Sequence, residues 1–331
     1  MPSTASPDRN IAMELVRATE AAAMAAARWM GKGDRNACDK AAVDAMRLLL
    51  ATVDMDGVIV IGEGEKDEAP MLFNGERIGN GNDPKTDIAV DPIDGTRLLS
   101  LGLPNSVSVV ALSERGTMYS PGPIVYMNKI AVGPAARDAI DINAPVRDNL
   151  TNIAKAYGKA VEELTVVVLD RPRHNELIDQ IRAAGARLKL ISDGDVSGTL
   201  QATTAGVSVD VLMGIGGSPE AVISAAAIKC TGGNMQCKLW PRDESERQRA
   251  KSGGFDLDQV LELDDLVKGG NVFFAITGIT DGELLDGVRY EGETVTTDSI
   301  VMRSKSGTSR RVKATHRLSK LMSYSQISYE S

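Results

Sequence analysis

The chain has 331 residues, and 43% of them are hydrophobic, which is enough apolar material for a full globular core. Because single cores stop growing near ~250–300 residues, this length predicts two sub-domains. Its net charge of −8 comes without a basic run, which disfavours nucleic-acid binding. An odd set of three cysteines argues against a disulfide framework. With no secretory leader and no apolar run of the ~18 residues that a membrane span needs, these features predict a cytoplasmic enzyme.

The first half of the chain predicts two helices followed by strands that end in acidic loops. A Ser-Pro-Asp start at residues 6–8 predicts a helix that runs to about Met30, because Pro and Asp both suit a first helical turn. Its small apolar side chains recur three and four residues apart, so we expect another helix to pack closely against it. A second helix is predicted from about Lys40 to Val53, with Asp39 just after the break. Strands are predicted at 57–62, 86–90 and 107–112.

Beyond about residue 160, strands alternate with helices, a pattern typical of a βαβ layered unit. The predicted elements are a strand at 164–169, a helix at 174–184, a strand at 188–191, a helix from about 195, a strand at 209–213 and a helix at 219–228. A polar stretch at 242–251 is predicted to be a surface excursion, and later strands are expected at 271–277, 299–303 and 310–315. We therefore expect an N-terminal α+β domain at 1–158 and a C-terminal α/β domain at 159–331.

Acidic residues at the ends of two strands carry the most information. The set comprises Asp39, Glu63, Glu65, Asp91 and Asp94, with Thr96 beside them. Hard cations such as Mg²⁺ and Mn²⁺ prefer several carboxylate oxygens in a near-octahedral array. In the string Asp-Pro-Ile-Asp-Gly-Thr at 91–96, the proline stiffens the turn between two carboxylates and the glycine permits close backbone approach. Single acidic residues at strand ends are commonly just solvated, but this string directly after a strand favours a divalent-metal site.

The string at 91–96 resembles the signature of the lithium-sensitive, Mg²⁺-dependent phosphatase superfamily, which includes inositol monophosphatases and fructose-1,6-bisphosphatases. Six further motifs narrow the resemblance to class II fructose-1,6-bisphosphatases. They are Gly-Asp-Arg-Asn at 33–36 followed by Asp39, Ile-Gly-Glu-Gly-Glu at 61–65, Asp-Glu-Ala-Pro-Met-Leu at 67–72, Arg-Pro-Arg-His at 171–174, Ile-Ser-Asp-Gly-Asp-Val at 191–196 and Gly-Ile-Gly-Gly-Ser-Pro-Glu at 214–220.

The resemblance runs from about residue 10 to about residue 316. It implies a layered α-β-α-β-α sandwich of the α/β (α+β) class and a homo-oligomer, either a dimer or a tetramer. It also implies hydrolysis of the 1-phosphate of fructose-1,6-bisphosphate by water activated by two Mg²⁺ or Mn²⁺ ions, in gluconeogenesis or the Calvin cycle.

The resemblance further implies roles for individual residues. The metal ligands would be Asp39 and Glu63 for one ion, and Asp91, Asp94 and Glu220 for the other. The residues predicted to be catalytic are Thr96 and Asp39, which would orient the attacking water, and Arg35. The substrate site would comprise Asp94, Gly95, Thr96, Tyr126, Arg171, Pro172, Arg173, Asp193, Gly194, Asp195 and Gly217. Members of the family often have Glu at the position of Asp94 and Lys at that of Arg35, so the second metal is expected at a slightly different place.

The residue types at the proposed substrate site suit a sugar bisphosphate. Arg171 and Arg173 follow a predicted strand, and guanidinium forks match phosphate oxygens in a bidentate manner. We expect them to bind the second phosphate. Asp193 and Asp195 are expected to accept hydrogen bonds from sugar hydroxyls, with helix capping as the alternative role for Asp195.

Several alternatives stay open at this point. Dual activity on sedoheptulose-1,7-bisphosphate is compatible with every motif. An inositol or nucleotide phosphatase would usually carry Trp-Asp at the start of the downstream metal helix, whereas neither Trp29 nor Trp240 precedes Asp. The glycine-rich run at 214–217 permits a nucleotide-cofactor oxidoreductase, although Pro219 interrupts the Gly-x-Gly-x-x-Gly spacing. A non-catalytic metal-binding scaffold would need neither the Thr96 hydroxyl nor the arginine pair.

Overall fold

The structure is a computed structural model that describes residues 10–63, 72–204, 206–325 and 327–329. The α-helices within these ranges are α1 (Ala12–Ala27), α2 (Arg35–Leu50), α3 (Thr96–Ser100), α4 (Val146–Tyr157), α5 (Asn175–Ala184), α6 (Asp195–Thr203), α7 (Ser218–Thr231), α8 (Glu244–Ser252), α9 (Leu263–Leu266) and α10 (Leu318–Ser325). The strands are β1 (Asp56–Ile61), β2 (Arg77–Ile78), β3 (Lys85–Asp94), β4 (Val107–Glu114), β5 (Tyr126–Val132), β6 (Thr165–Leu169), β7 (Arg187–Ile191), β8 (Val211–Gly217), β9 (Asn234–Trp240), β10 (Leu261–Glu262), β11 (Phe273–Gly278), β12 (Arg289–Glu291), β13 (Thr294–Arg303) and β14 (Thr308–Arg317).

The strands form two mixed sheets. The first has the order β12-β13-β11-β4-β3-β1-β2, and β14 pairs with β13. The second has the order β10-β9-β5-β8-β6-β7. The pairs β1–β3, β6–β7 and β6–β8 are parallel, which places the ends of β1 and β3 on the same edge of the first sheet.

Helices cover both sheets and separate them. Helices α1 and α2 share a hydrophobic core with the outer face of the first sheet. Helices α6 and α7 lie between the two sheets and contact strands of both. Helices α4 and α5 close the far face of the second sheet over a third core. The predicted α-β-α-β-α sandwich is therefore confirmed, since each sheet buries both of its faces against helices.

The two N-terminal helices differ from the prediction at their ends. Helix α1 begins at Ala12 and ends at Ala27, short of Met30, and the predicted start at residues 6–8 lies outside the described residues. Helix α2 begins at Arg35 rather than Lys40, because the Asp34 carboxylate caps it by accepting a hydrogen bond from the Ala37 N–H. Asp39 therefore lies within α2 and not after a break between helices.

The second sheet contains two long strands that the sequence analysis missed. Strand β5 lies at its centre and β9 is next to it, although neither was predicted. The polar stretch at 242–251 is mostly helical, because α8 covers it. The first sheet takes strands from 56–114 and from 273–317, while the second takes strands from 126–262. The predicted boundary at residues 158 and 159 matches neither sheet, and the division into two domains stays a prediction.

Within the described ranges, no helix is both long enough and apolar enough to cross a membrane.

Candidate active site

Asp91 and Asp94 lie at the end of β3, where this strand pairs irregularly with β4. Asp91 is opposite Val109 and Asp94 is opposite Val107, so three steps along β3 match two along β4. Side chains three residues apart in a regular strand point to opposite faces. The extra residue makes a bulge, which breaks this alternation, and both carboxylates line one cleft. Pro92 lies in the bulge, where its missing N–H costs no ladder hydrogen bond.

Thr96 begins α3 immediately after Gly95, whose φ of 88° belongs to the left-handed region that glycine adopts without strain. The Thr96 hydroxyl lies 3.0 Å from Asp39 Oδ1 and 3.2 Å from the Ile93 carbonyl oxygen. Because a hydroxyl has one proton and two lone pairs, donation to Asp39 leaves the Thr96 oxygen free to accept a hydrogen bond from water. The contact also joins α2 to the end of β3.

The helices between the sheets supply the opposite wall of the cleft. Glu220 lies in the first turn of α7, and Asp195 begins α6. The Ser197 N–H donates to Asp94 Oδ2 at 3.0 Å, so a carboxylate from the first sheet caps α6. A negative charge is stabilised at a helix N-terminus, and this bond fixes the position of Asp94 relative to the second half of the chain.

Together these elements enclose a cleft of about 380 Å³. The predicted site residues that line it are Glu63, Asp91, Asp94, Gly95, Thr96, Tyr126, Arg171, Arg173, Asp193, Gly194, Asp195, Gly217 and Glu220. Asp39 lies behind Thr96, whereas Arg35 and Pro172 are exposed and do not line the cleft. Four lining residues were not predicted, namely Ile93, Val125, Leu169 and Pro219. A larger cavity of about 510 Å³ beside α1, α2 and α10 contains no predicted site residue.

The two arginines reach the cleft from the turn that follows β6. Arg173 donates to the Ile215 carbonyl oxygen through Nη2 at 2.9 Å, and its guanidinium carbon lies 4.8 Å from the centre of the Tyr126 ring. Arg171 Nη2 is 3.9 Å from Asp193 Oδ1. Arg173 is thus held by two neighbours while its side chain lines the cleft, which leaves it positioned for an anion.

The clustered carboxylates destabilise one another's charged forms. Burial, with the charges of nearby carboxylates, raises the pKa of Glu63 to about 7, and burial followed by the charge of Asp195 raises the pKa of Glu220 to about 7. The pKa values of Asp91 and Asp94 are raised well above their ordinary range by burial and by neighbouring carboxylates. In the described part of the chain, Glu220 Oε2 is buried and has no hydrogen-bond partner. A bound cation would reverse these shifts, because opposite charge favours the ionised form.

The carboxylates do not form a finished coordination sphere. Among the described residues, no group of three or more acidic, histidine or cysteine side chains is arranged to hold a metal ion as it stands. Glu65, the remaining member of the predicted acidic set, and most of the motif at 67–72 lie outside the described residues.

Comparison with known proteins distinguishes the bisphosphatase alternative from the inositol and nucleotide phosphatases. The family described as "Bacterial fructose-1,6-bisphosphatase, glpX-encoded" matches residues 9–316. The chain belongs to this family. It is 44% identical over 323 residues to "Fructose-1,6-bisphosphatase 1 class 2" of Escherichia coli (strain K12). The aligned region covers 94% of this chain and 96% of that protein. Identity and coverage are the same for the "Fructose-1,6-bisphosphatase class 2" proteins of Escherichia coli O6:H1 and Shigella flexneri.

For a fructose-1,6-bisphosphatase of this family, the glycine-rich run at 214–217 has a structural explanation. It is the end of strand β8, paired residue by residue with β5. A dinucleotide-binding run would instead form a turn between a strand and a helix. The structure thus gives no support to the oxidoreductase alternative.

One buried cation of the site was missed by the sequence analysis. Lys129 lies in β5, and its ammonium group is 2.5 Å from Asp195 Oδ2. Burial alone would lower the pKa of Lys129, but the carboxylates of Asp195 and Glu220 outweigh it, so the pKa is raised. Helix capping, the alternative role for Asp195, is not seen, because the N-cap residue of α6 is Gly194 and the Ser197 N–H donates to Asp94 instead. Strand β5 mixes Asn128 and Lys129 with apolar residues, so no local pattern in the sequence marked this lysine.

Proposed function

We propose that this protein hydrolyses the 1-phosphate of fructose-1,6-bisphosphate to give fructose-6-phosphate and phosphate. The observation that carries the proposal is that one cleft contains a carboxylate cluster and, beside it, two arginines. A bisphosphate needs two anion-binding sites, one where the reaction occurs and one that holds the other end of the substrate. The carboxylates supply the first through cations, and the guanidinium groups supply the second directly.

Mg²⁺ or Mn²⁺ is the proposed cofactor. The donor set consists only of oxygen atoms, which suits hard divalent cations, and the unpaired Glu220 Oε2 and the raised carboxylate pKa values fit a cation site. Asp39 and Glu63 would hold one ion, and Asp91, Asp94 and Glu220 would hold the other. When bound, such ions polarise the phosphate and lower the pKa of a coordinated water.

The attacking water is oriented by this chain's own side chains. Because the Thr96 hydroxyl donates to Asp39, its oxygen accepts from the water and fixes one of the water's protons. Burial raises the pKa of Asp39, while the hydrogen bond from Thr96 and then the charge of the neighbouring Arg35 oppose that rise by favouring the carboxylate form. Phosphoryl transfer passes through a loose transition state in which positioning and charge neutralisation dominate. Direct attack by water needs no covalent phosphoenzyme.

The remaining lining residues orient the sugar. Arg171 and Arg173 bind the second phosphate, and the Tyr126 ring lies within cation–π distance of the Arg173 guanidinium. Asp193 and Asp195 accept hydrogen bonds from sugar hydroxyls. We further propose a cytoplasmic homo-oligomer, a dimer or a tetramer, that acts in gluconeogenesis or the Calvin cycle.

The deciding experiment is phosphate release from fructose-1,6-bisphosphate by the purified protein, with and without Mn²⁺ or Mg²⁺. Sedoheptulose-1,7-bisphosphate and inositol-1-phosphate are assayed in parallel. We expect cation-dependent release from fructose-1,6-bisphosphate and none from inositol-1-phosphate. Release from inositol-1-phosphate alone would contradict the role of the arginine pair, and release from none of the three would refute the proposed activity.

A further inference from the structure

Lys129 is a buried cation next to the substrate cleft that the proposed mechanism does not use. It lies in β5 at the centre of the second sheet, opposite Gly214 of β8 and Cys237 of β9. Its side chain is 1% exposed. Lysine is almost never fully buried unless its charge is paired, so its position requires an explanation.

The ammonium group contacts two residues of the substrate cleft. Lys129 Nζ is 2.5 Å from Asp195 Oδ2 and donates to the Gly217 carbonyl oxygen at 3.2 Å. Both Asp195 and Gly217 line the cleft, whereas Lys129 does not. One group therefore ties the first residue of α6 to the end of β8, and these two elements approach the cleft from different parts of the chain.

The backbone of β8 leaves room for this pair at one position. A Cβ atom at Gly216 would lie 1.9 Å from Asp195 Oδ2 and 2.7 Å from Lys129 Cε. Gly216 does not have a positive φ, so its backbone conformation does not require glycine. The ion pair instead occupies the space where a Cβ atom would be. The pair thus accounts for one glycine of the run at 214–217.

We propose that Lys129 is a positioning residue for the sugar phosphate. By binding one oxygen of Asp195, it turns the carboxylate so that the other oxygen faces the cleft and accepts from a sugar hydroxyl. By binding the Gly217 carbonyl, Lys129 also fixes the end of β8 beside the Asp195 oxygen that faces the cleft. This inference rests on the proposed function, because the ligand it positions is the sugar phosphate.

The test compares wild type with Lys129→Met, Asp195→Asn and the double variant. The dissociation constant of fructose-6-phosphate is measured by calorimetry, and KM and kcat are measured for fructose-1,6-bisphosphate. We expect Lys129→Met to weaken sugar-phosphate binding and raise KM by about tenfold or more, with a smaller change in kcat. In the Asp195→Asn background, the same substitution should add less than about twofold, because Lys129 acts through Asp195.

A matched control separates positioning from general stability. Lys159 forms a pair with Asp210 at the same distance, 2.5 Å between Nζ and Oδ1, although the Lys159 side chain is partly exposed rather than buried, and neither residue lines the cleft. Lys159→Met should therefore leave KM and the dissociation constant unchanged. Where Lys129→Met alone does not fold, the double variant is compared with Asp195→Asn, since removal of both charges leaves no unpaired buried ion.

The outcomes for the two proposals are distinguishable. Tight fructose-6-phosphate binding without hydrolysis would overturn the proposed activity and leave Lys129 testable by calorimetry. Unchanged binding in Lys129→Met, full additivity with Asp195→Asn, or a wild-type protein that does not bind fructose-6-phosphate would each overturn the role of Lys129.

Discussion

At the scale of single residues, the proposed mechanism gives Thr96 the most direct chemical task. Thr96→Val keeps the shape of the side chain and removes only the hydroxyl that contacts Asp39 and the Ile93 carbonyl. We expect kcat to fall by about 10²-fold or more, the range for losing a positioned proton-transfer partner. Turnover at saturating cation is the measurement. Thr151→Val is the control, because that hydroxyl donates to a backbone carbonyl at an exposed position of α4; equal activity in both variants would remove Thr96 from the mechanism.

A substitution at Gly217 tests whether the position of the Glu220 carboxylate matters for cation binding. Its φ of −63° suits alanine, but a Cβ there would lie 1.7 Å from Glu220 Oε2. Gly217→Ala should displace the Glu220 carboxylate, weaken the apparent cation affinity by about 10–100-fold and leave the fold intact. The measurement is turnover across a Mn²⁺ titration. Gly270→Ala is the matched control, since a Cβ at Gly270 meets nothing within 4 Å; identical titration curves for the two variants would contradict the assignment.

Motifs revealed some of these residues and not others. Asp91, Asp94 and Thr96 were predictable because they lie in one short string whose geometry is local. Lys129 was not, because its partner Asp195 is 66 residues away and no local pattern encodes the pairing. Val125 likewise lines the cleft without any polar group that a motif would record.

At the scale of secondary structure elements, His174 joins the ends of β6 and β8. Its Nδ1 lies 2.6 Å from the Leu169 carbonyl oxygen, and its Nε2 accepts from the Ile215 N–H at 2.7 Å. These partners require a neutral ring with its proton on Nδ1. Gly214, with φ +125°, allows the close approach, since a Cβ there would lie 3.0 Å from Nε2. The same Ile215 holds Arg173 through its carbonyl, so the ring supports the arginine turn.

This arrangement predicts a pH dependence of stability. Burial, together with the charges of Arg173 and Arg171, lowers the pKa of His174 against two backbone hydrogen bonds that raise it. Because the folded pKa lies below the unfolded one, the stabilisation is present above about pH 6.5 and is lost as pH falls through the folded pKa. His174→Gln can still donate and accept but does not titrate. Urea unfolding from pH 8 to 5 should show a smaller loss of stability for His174→Gln than for wild type; parallel curves would contradict this.

Elements were predictable where their signal was local. The Asp34 cap that starts α2 was available in the sequence but was overlooked, which displaced the predicted start of the helix by five residues. Strand β5 mixes Asn and Lys with apolar residues and has no simple alternation, although it is central in its sheet. The bulge in β3 was not predictable, because it depends on pairing with β4.

At the scale of the whole molecule, the cleft depends on the correct packing of both sheets. Glu63 follows β1 and Asp91 lies in β3 of the first sheet, whereas Glu220 lies in the first turn of a helix between the sheets. A divalent cation that binds these groups together recognises only the folded arrangement. By linkage it stabilises the fold by about 2.7 kcal/mol when its concentration is 100 times its dissociation constant. The melting temperature of the wild type should therefore rise saturably with Mn²⁺ or Mg²⁺ and return when the cation is chelated.

The effect of Glu220→Gln on stability should have opposite signs in the absence and in the presence of the cation. Burial, then the charge of Asp195, raises the pKa of Glu220 to about 7, so in cation-free protein its favourable protonated form is lost as pH rises through about 7. At pH 8 without cation, we expect Glu220→Gln to melt above wild type, because the amide cannot ionise. With saturating Mn²⁺ the order should invert, since the variant has lost a charged ligand. Glu162→Gln, an exposed position outside the cleft, should track wild type in both conditions; a Glu220→Gln curve that also tracks wild type would mean that this carboxylate binds no cation.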